Sequence, residues 1–306
     1  MSDAEKAVPR LKRKVSKWLK EWVVMPDMIE SHRDEPTQML QKYLTDSEDE
    51  RLVSINILRK SLWHFINYEH AVLNEGETGQ EHLVLAVIHA ESGLKLEAAR
   101  VPLGWNGVFT VSEAALYLAL AVIANFNLAA DRIAQILVKG LDTRLLDLRH
   151  NDRHSAGELY PHFWFIMHLQ EKYWKRPIDI RQYSYPPDMS PYKETLKHRD
   201  STDMKRVHDL VCAMADYHVL KAQNTKRDEM NEFDMEDVML FPFGILCWLR
   251  MREWMGLKNP EKFAHPLMRQ PLAQLPVASG ITRLAMPPLL ADVEKKFRLE
   301  HPEGFA

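Results

Sequence analysis

The chain has 306 residues, of which 46% are hydrophobic, so it can bury one large core or two smaller ones without disulfide support. The formal net charge of −3 argues against a general attraction to nucleic acid or to an anionic membrane surface. Cys212 and Cys247 lie among apolar residues and are expected to be reduced. The opening segment is charged and lacks the apolar core of a secretory signal. These features predict a cytoplasmic protein.

Residues 10–24 predict an amphipathic first helix. Lysine and arginine cover one face of this helix, and large apolar side chains recur on the other. We expect the apolar face to pack on the body of the protein, with membrane or nucleic-acid contact as the alternatives. The apolar face consists of Leu11, Val15, Trp18, Leu19 and Trp22.

Helical periodicity continues along the chain, and no run of residues alternates in the manner of a strand. The sequence therefore predicts an all-α protein, a compact array of antiparallel helices. The apolar window 114–124 is about half the length needed to cross a bilayer, so we expect a buried helix and no membrane span. The predicted helices contain residues 52–66, 83–94, 114–124, 128–138, 160–174, 203–223, 242–255 and 287–297.

Four of the helix starts carry a capping box, in which a Ser or Thr precedes a Glu by three residues. Each side chain of such a pair can accept a hydrogen bond from an unpaired backbone N–H group at the helix N-terminus. The pairs are Ser47 with Glu50, Thr78 with Glu81, Thr110 with Glu113, and Ser155 with Glu158.

The best arrangement for metal chemistry is Asp147, His150, His154 and Glu158, which would share one face of a continuous helix. Ser155 reads as a new helix start, however, and would break that face after His154. No second helix carries a matching Glu-x-x-His pair. A polar loop is the preferred interpretation, and we expect no metal or cofactor. A helical metalloenzyme that uses His150 and His154 is the alternative.

The other histidines are not expected to be catalytic. A single helical histidine more often bonds a nearby carbonyl or carboxylate than it binds metal or transfers protons. His265 precedes Pro266 and is expected to anchor a turn near the C-terminus. The common phosphate-loop, dinucleotide and hydrolase motifs do not occur in the sequence. The helical histidines are His64, His82, His89, His208 and His218.

Prolines are concentrated between residues 176 and 191, with Pro161 nearby, and they predict an extended connector. We expect an N-terminal helical unit over 1–175, a connector over 176–192 and a C-terminal unit over 193–306. Tyr183, Tyr185 and Tyr192 give the connector apolar surface to bury, so the two units are expected to pack together.

Six carboxylates occur within residues 228–237, without a basic residue among them. Such a field can steer and hold a basic partner surface. Alternatively, the stretch is a solvated loop that caps the following helix. Phe233 and Met235 lie inside it and are either interface anchors or inward-facing side chains that pin the loop. The predicted partner-binding residues are Asp228, Glu229, Glu232, Phe233, Asp234, Met235, Glu236 and Asp237.

The segment 216–272 contains D-Y-H at 216–218, L-F-P at 240–242 and H-P-L at 265–267. In the order of these features it resembles the helical immunity proteins that protect bacteria from polymorphic toxins, in particular the immunity protein 49 family. The resemblance covers about a third of the chain. It implies a cytoplasmic protein that binds a toxin domain tightly and blocks its site without chemistry of its own. The matching residues are Asp216, Tyr217, His218, Leu240, Phe241, Pro242, Arg250, Arg252, Glu253, Gly256, Leu257, His265, Pro266 and Leu267.

The sequence thus predicts a non-catalytic immunity protein whose partner is a cognate toxin or effector, with nucleases as one candidate class. No direct binding of nucleic acid is expected. The alternatives are the helical metalloenzyme and a helical scaffold or adaptor that binds several proteins.

Overall fold

A computed structural model describes residues 3–46, 50–146, 148, 160–224, 231–277 and 285–305. These residues form helices joined by turns and short 3-10 segments, and no β-strand occurs among them, so the predicted all-α class is confirmed. No described helix combines the length and the apolar character that a bilayer crossing requires. The α-helices are α1 Asp3–Trp22, α2 Pro26–Ile29, α3 Glu35–Asp46, α4 Val53–His70, α5 Gln80–Arg100, α6 Val111–Ile123, α7 Asn127–Gly140, α8 Pro161–Trp174, α9 Tyr192–Lys197, α10 Met204–Lys221, α11 Glu236–Met239, α12 Phe243–Trp254 and α13 Pro288–Glu300.

Each periodic segment predicted from the sequence coincides with one of these helices, but the caps agree less well. Thr110 directly precedes α6, as the capping pattern predicts. The prediction for Thr78 is wrong, because α5 begins at Gln80 and its N-cap is Gly79. Gly79 has a φ of +57°, and a Cβ there would lie 2.9 Å from the Tyr68 side chain. Glycine meets both demands. The Ser47 and Ser155 caps lie outside the described residues.

The chain divides into two compact units, and each draws on three stretches of sequence. The first unit consists of Met1–Trp18, Val111–Asn125 and Leu148–Pro276. The second consists of Leu19–Thr110, Phe126–Asp147 and Val277–Ala306. This division differs from the predicted one, which followed chain order and placed the boundary at the proline-rich connector.

In the first unit, α6 packs against α8 and α12. All its residues from Ala114 to Ile123 are buried. A helix that is apolar on every side belongs in a core, and the residue run predicted this. Arg252 of α12 is also buried, and its guanidinium donates hydrogen bonds to three oxygen atoms. These acceptors, on Asn259, Arg199 and Lys258, satisfy the buried charge and tie two loops to α12.

The proline-rich connector is packed within the first unit. Tyr183 and Tyr185 contact Trp164, with ring centroids 6.1 Å and 5.1 Å apart. Tyr192 stacks on Phe165 at 4.7 Å. Tyr183 and Tyr192 are buried and Tyr185 is half-buried, which confirms that these tyrosines give the connector apolar surface to bury.

In the second unit, α4 and α5 pack along much of their length. Gly93 permits this approach, since a Cβ there would lie 2.6 Å from Leu58 of α4. Helix α13 packs against α3 and α5. The core formed where these helices meet consists of Leu40, Tyr43, Val53, Ile57, Leu96, Ala99, Leu290, Val293 and Phe297.

Candidate functional site

The predicted acidic stretch does not form a uniformly exposed surface. We call residues 231–237 the anchored turn, because its first three residues are buried and Met235 further along it is exposed. Glu232 and Phe233 are buried, whereas Met235 is 62% exposed. Asp234, Glu236 and Asp237 have intermediate exposure. Asp228 and Glu229 lie outside the described residues.

The Glu232 carboxylate binds two other parts of the first unit. Its Oε1 accepts a hydrogen bond from the backbone N–H of His162 and lies 2.6 Å from the Nδ1 atom of the same residue. Its Oε2 accepts a hydrogen bond of 2.6 Å from the Tyr217 hydroxyl. Burial alone would raise the pKa of Glu232, but His162 and Tyr217 together lower it below its usual value. The carboxylate is therefore ionised at neutral pH and holds the turn to α8 and α10.

Phe233 is the second anchor of the turn. Its ring stacks on His218 with centroids 4.0 Å apart, and it contacts the rings of His162 and Phe243 at 5.3 Å and 6.0 Å. Its backbone N–H donates to the Lys221 carbonyl at 3.3 Å. Phe233 therefore takes the inward-facing alternative that the sequence left open, whereas Glu232, expected in an exposed acidic stretch, is buried. Both side chains have partners inside the first unit that desolvate and hold them.

A serine extends the polar contacts of Glu232 into a chain of three side chains. Ser112, in the first turn of α6, has its Oγ 3.1 Å from Nε2 of His162. In the neutral form of the ring, Nδ1 carries the proton because it faces the ionised Glu232, and Nε2 is then the acceptor for the Ser112 hydroxyl. Ser112 is partly exposed, whereas His162 is fully buried. The chain runs from the surface to a buried carboxylate.

The surroundings of Ser112 are acidic. Glu113 follows it and is exposed. Asp237 is partly exposed, but its Oδ1 is buried and has no hydrogen-bond partner among the described residues. Burial raises the pKa of Asp237 to about 7, and the negative charges of Glu113 and Glu236 add to this effect. Near neutral pH, the Asp237 carboxyl is therefore ionised in only part of the molecules, and it does not contribute a constant negative charge to this surface.

The surface that the anchored turn presents is mixed in charge. Met235 stands between Asp234 and Glu236, and Glu236 forms an ion pair of 3.0 Å with Lys14 of α1. Leu220, also 62% exposed, precedes Lys221, whose carbonyl accepts the Phe233 N–H. Two exposed apolar side chains thus lie within two residues of that hydrogen bond.

Helix α1 is placed as predicted. Val15, Leu19 and Trp22 of its apolar face are buried, and Trp22 contacts Trp63 with ring centroids 5.4 Å apart. Lys12 and Lys17 on the opposite face are exposed. The expectation that the tryptophan face packs on the body of the protein is confirmed.

The arrangement considered for metal binding lies entirely outside the described residues, which do not include Asp147, His150, His154 or Glu158. Within the described part of the chain, no group of three or more histidine, cysteine or carboxylate side chains has an arrangement that could hold a metal ion. Cys212 and Cys247 are free thiols.

Three of the helical histidines cluster in the second unit. Nδ1 of His64 lies 3.1 Å from Nδ1 of His82, and the His64 and His89 ring centroids are 5.2 Å apart. Burial, followed by the positive charge that His89 and His82 can carry, lowers the pKa of His64 to about 2. These rings are neutral in the folded protein and pack as part of the interface between α4 and α5.

Several residues that carry the family resemblance have structural roles. His265 accepts a hydrogen bond from the Leu267 N–H and contacts Asp216 at 3.2 Å, so it anchors its turn as expected. Arg250 is buried and donates to the carbonyls of Ile123 and Pro276. These contacts show that His265 and Arg250 have structural roles in the fold.

No protein-family model, curated protein or solved structure matches the chain. Neither Ser112 nor His162 is marked as a site residue by the sequence. Both occupy the second position of a helix, and His162 stands 50 residues from Ser112 and 70 from Glu232. No local spacing links positions so far apart. Only the packing of α6, α8 and the anchored turn brings them together.

Proposed function

We propose that this chain binds a protein partner through the anchored turn, and that the partner is a toxin or effector domain whose active centre the complex covers. The observation that carries the proposal is the contrast between Phe233, which is 2% exposed, and Met235, which is 62% exposed. Two residues along the chain from a firmly packed ring, a large apolar side chain projects into solvent. An exposed apolar anchor on a fixed backbone is typical of an interface hot spot.

The anchoring of the turn favours tight binding. Association costs free energy whenever a loop or a side chain must be ordered, at about 0.5–1.5 kcal/mol for each immobilised side chain. Glu232 and Phe233 already fix the backbone that bears Met235. Less ordering is left to the moment of binding, as in rigid inhibitors that occlude a site.

Charged side chains of both signs surround the exposed Met235. The sequence suggested a purely acidic face, but Lys14 of α1 neutralises Glu236, and exposed lysines continue along α1. In the proposed complex, a basic part of the toxin surface, such as that of a nuclease, contacts the Asp234 carboxylate. An acidic part of the toxin surface contacts the lysines of α1. Rim charges of this kind act mainly on the association rate.

The test is co-purification and calorimetric titration with the toxin-like product of a gene adjacent to the gene for this chain. Met235→Glu and Leu220→Glu place a charge at exposed positions, so the fold tolerates them. We expect each to weaken binding at least tenfold, which corresponds to about 1.4 kcal/mol. Leu128→Glu is the matched control, because Leu128 is 57% exposed but lies in the second unit.

Unchanged affinity in both variants would refute the anchored turn as the interface. Equal weakening by Leu128→Glu would show that an added charge, and not the site, is responsible. Several partners of similar abundance, in place of one dominant partner, would favour a scaffold protein.

A further inference from the structure

We propose that Ser112 is the nucleophile of a Ser112–His162–Glu232 triad that hydrolyses carboxylic esters. The groups on either side of the ester bond are uncharged or cationic in the substrates that we assign to it. This activity does not rest on the partner binding proposed above. It would replace the expectation from the sequence that the chain performs no chemistry.

The three side chains have the order and the spacing of a nucleophile, a base and an orienting carboxylate. The Oγ of Ser112 lies 3.1 Å from Nε2 of His162, and Nδ1 lies 2.6 Å from Oε1 of Glu232. Both distances fall within hydrogen-bond reach of about 2.6–3.2 Å. Such triads are recognised by geometry and roles, and they occur on unrelated folds.

Neighbouring residues hold Glu232 and His162 in place. Glu232 is held by Tyr217 and by the backbone N–H of His162, so both of its oxygens are engaged. The ring of His162 is fixed between Phe233 and Phe243, with centroids 5.3 Å and 5.4 Å away. A base whose tautomer and orientation are fixed in advance needs little reorganisation during reaction.

The reaction follows from this geometry. The Ser112 oxygen bonds to the acyl carbon while its proton moves to Nε2 of His162. The bond from the acyl carbon to the leaving alcohol then breaks, and the alcohol oxygen takes that proton. Water next attacks the acyl carbon and gives a proton to Nε2. The ester bond to Ser112 breaks, and the Ser112 oxygen recovers the proton. The net change is ester plus water to acid plus alcohol.

Two further features bear on the substrate. Ser112 is partly exposed at the start of α6, so an ester can reach it from solvent. Backbone N–H groups in the first turn of a helix have no acceptor within the helix and can stabilise a developing oxyanion. The exposed carboxylate of Glu113, the residue that follows Ser112, disfavours an anionic substrate by like-charge repulsion.

The competing explanation is that the same contacts only stabilise the fold. The decisive probe is a biotinylated fluorophosphonate, which forms a covalent bond with nucleophilic serines. We expect one adduct on the native protein, located at Ser112 by peptide mass spectrometry and lost in Ser112→Ala and after heat denaturation.

Ser31→Ala is the matched control. Ser31 contacts Nδ1 of His32 at 2.7 Å, but no carboxylate contacts that ring among the described residues. Labelling of the control variant should equal that of the wild type. Absence of any adduct under conditions that fully label a known serine hydrolase would overturn the proposal, and so would equal labelling of Ser112→Ala.

Ester turnover provides the second readout. p-Nitrophenyl acetate and acetylcholine should be hydrolysed in a Ser112-dependent way, and p-nitrophenyl hydrogen succinate at least tenfold more slowly than p-nitrophenyl acetate in kcat/KM. Glu113→Gln should reduce that discrimination. Equal rates for all three esters would contradict the assigned substrate class.

Glu232 acts through His162 and is a positioning residue. Glu232→Gln, checked for folding by circular dichroism, should slow labelling at least tenfold and displace the midpoint of its pH dependence. A purely structural role predicts an unchanged midpoint. Leu128→Glu should leave labelling unchanged. Labelling needs no partner, so a failure of this proposal is distinguishable from a failure of the partner-binding proposal.

Discussion

Phe233→Ala should lower the stability of the fold strongly and Met235→Ala hardly at all, although the two residues belong to the same short turn. Phe233 loses its contacts with the rings of His218, His162 and Phe243 when it is truncated. Removing a buried phenylalanine side chain typically costs about 3–5 kcal/mol. Met235 is largely exposed, and a surface substitution of this kind usually changes stability by less than about 0.5 kcal/mol.

Thermal unfolding followed by circular dichroism measures the difference. One kcal/mol corresponds to about 2–4 °C in Tm for a domain of 150–250 residues. Phe233→Ala should therefore lower Tm by roughly 6–20 °C, taking the product of these two ranges. Met235→Ala should shift it by about 2 °C or less. A Tm for Phe233→Ala within about 2 °C of the wild type would refute the burial of this ring.

Two further predictions concern the second unit. Burial, and next the charge that His89 would carry if protonated, lower the pKa of His64 to about 2 from 6.5, and burial lowers that of His89 to about 4. Only the unfolded chain takes up these protons as the pH falls from about 6.5 to 4, so Tm should fall across this window. His64→Gln should make the decline shallower, and an equally steep decline would contradict the neutral cluster. Gly93→Ala should cost roughly 1–3 kcal/mol by overpacking against Leu58, because a Cβ would lie 2.6 Å away. Gly244→Ala is the control, because a Cβ at this position would lie 3.8 Å from the nearest atom. Chemical denaturation of this variant should show unchanged or higher stability. Equal losses of stability in both variants would argue against close packing of α4 on α5.

Local patterns were sufficient to predict most helices. The unbroken apolar run 114–124 indicated a buried helix, and the structure places it within or next to α6. The N-terminal residues of α10 follow Asp203, whose side chain accepts hydrogen bonds from two backbone N–H groups. Such features depend on residues within a turn or two of each other. Gly79 shows the limit, because its role depends on an approach to Tyr68 of another helix.

The candidate site could be predicted only in part. Composition marked the stretch 228–237 as acidic, but it does not distinguish a carboxylate that faces solvent from one that meets a buried histidine. Glu232 is held by His162 and Tyr217, which come from α8 and α10. Burial of charge depends on such distant partners. The serine that completes the chain of contacts comes from α6.

The anchored turn also bears on how this chain can diversify. The side chains that fix its backbone, Glu232 and Phe233, are not the ones that it shows to solvent, Met235 foremost. Substitutions at the displayed position change the contact chemistry without loosening the fold. If the partner binding proposed above is under selection, its specificity can change by single substitutions at Met235 that are neutral for folding.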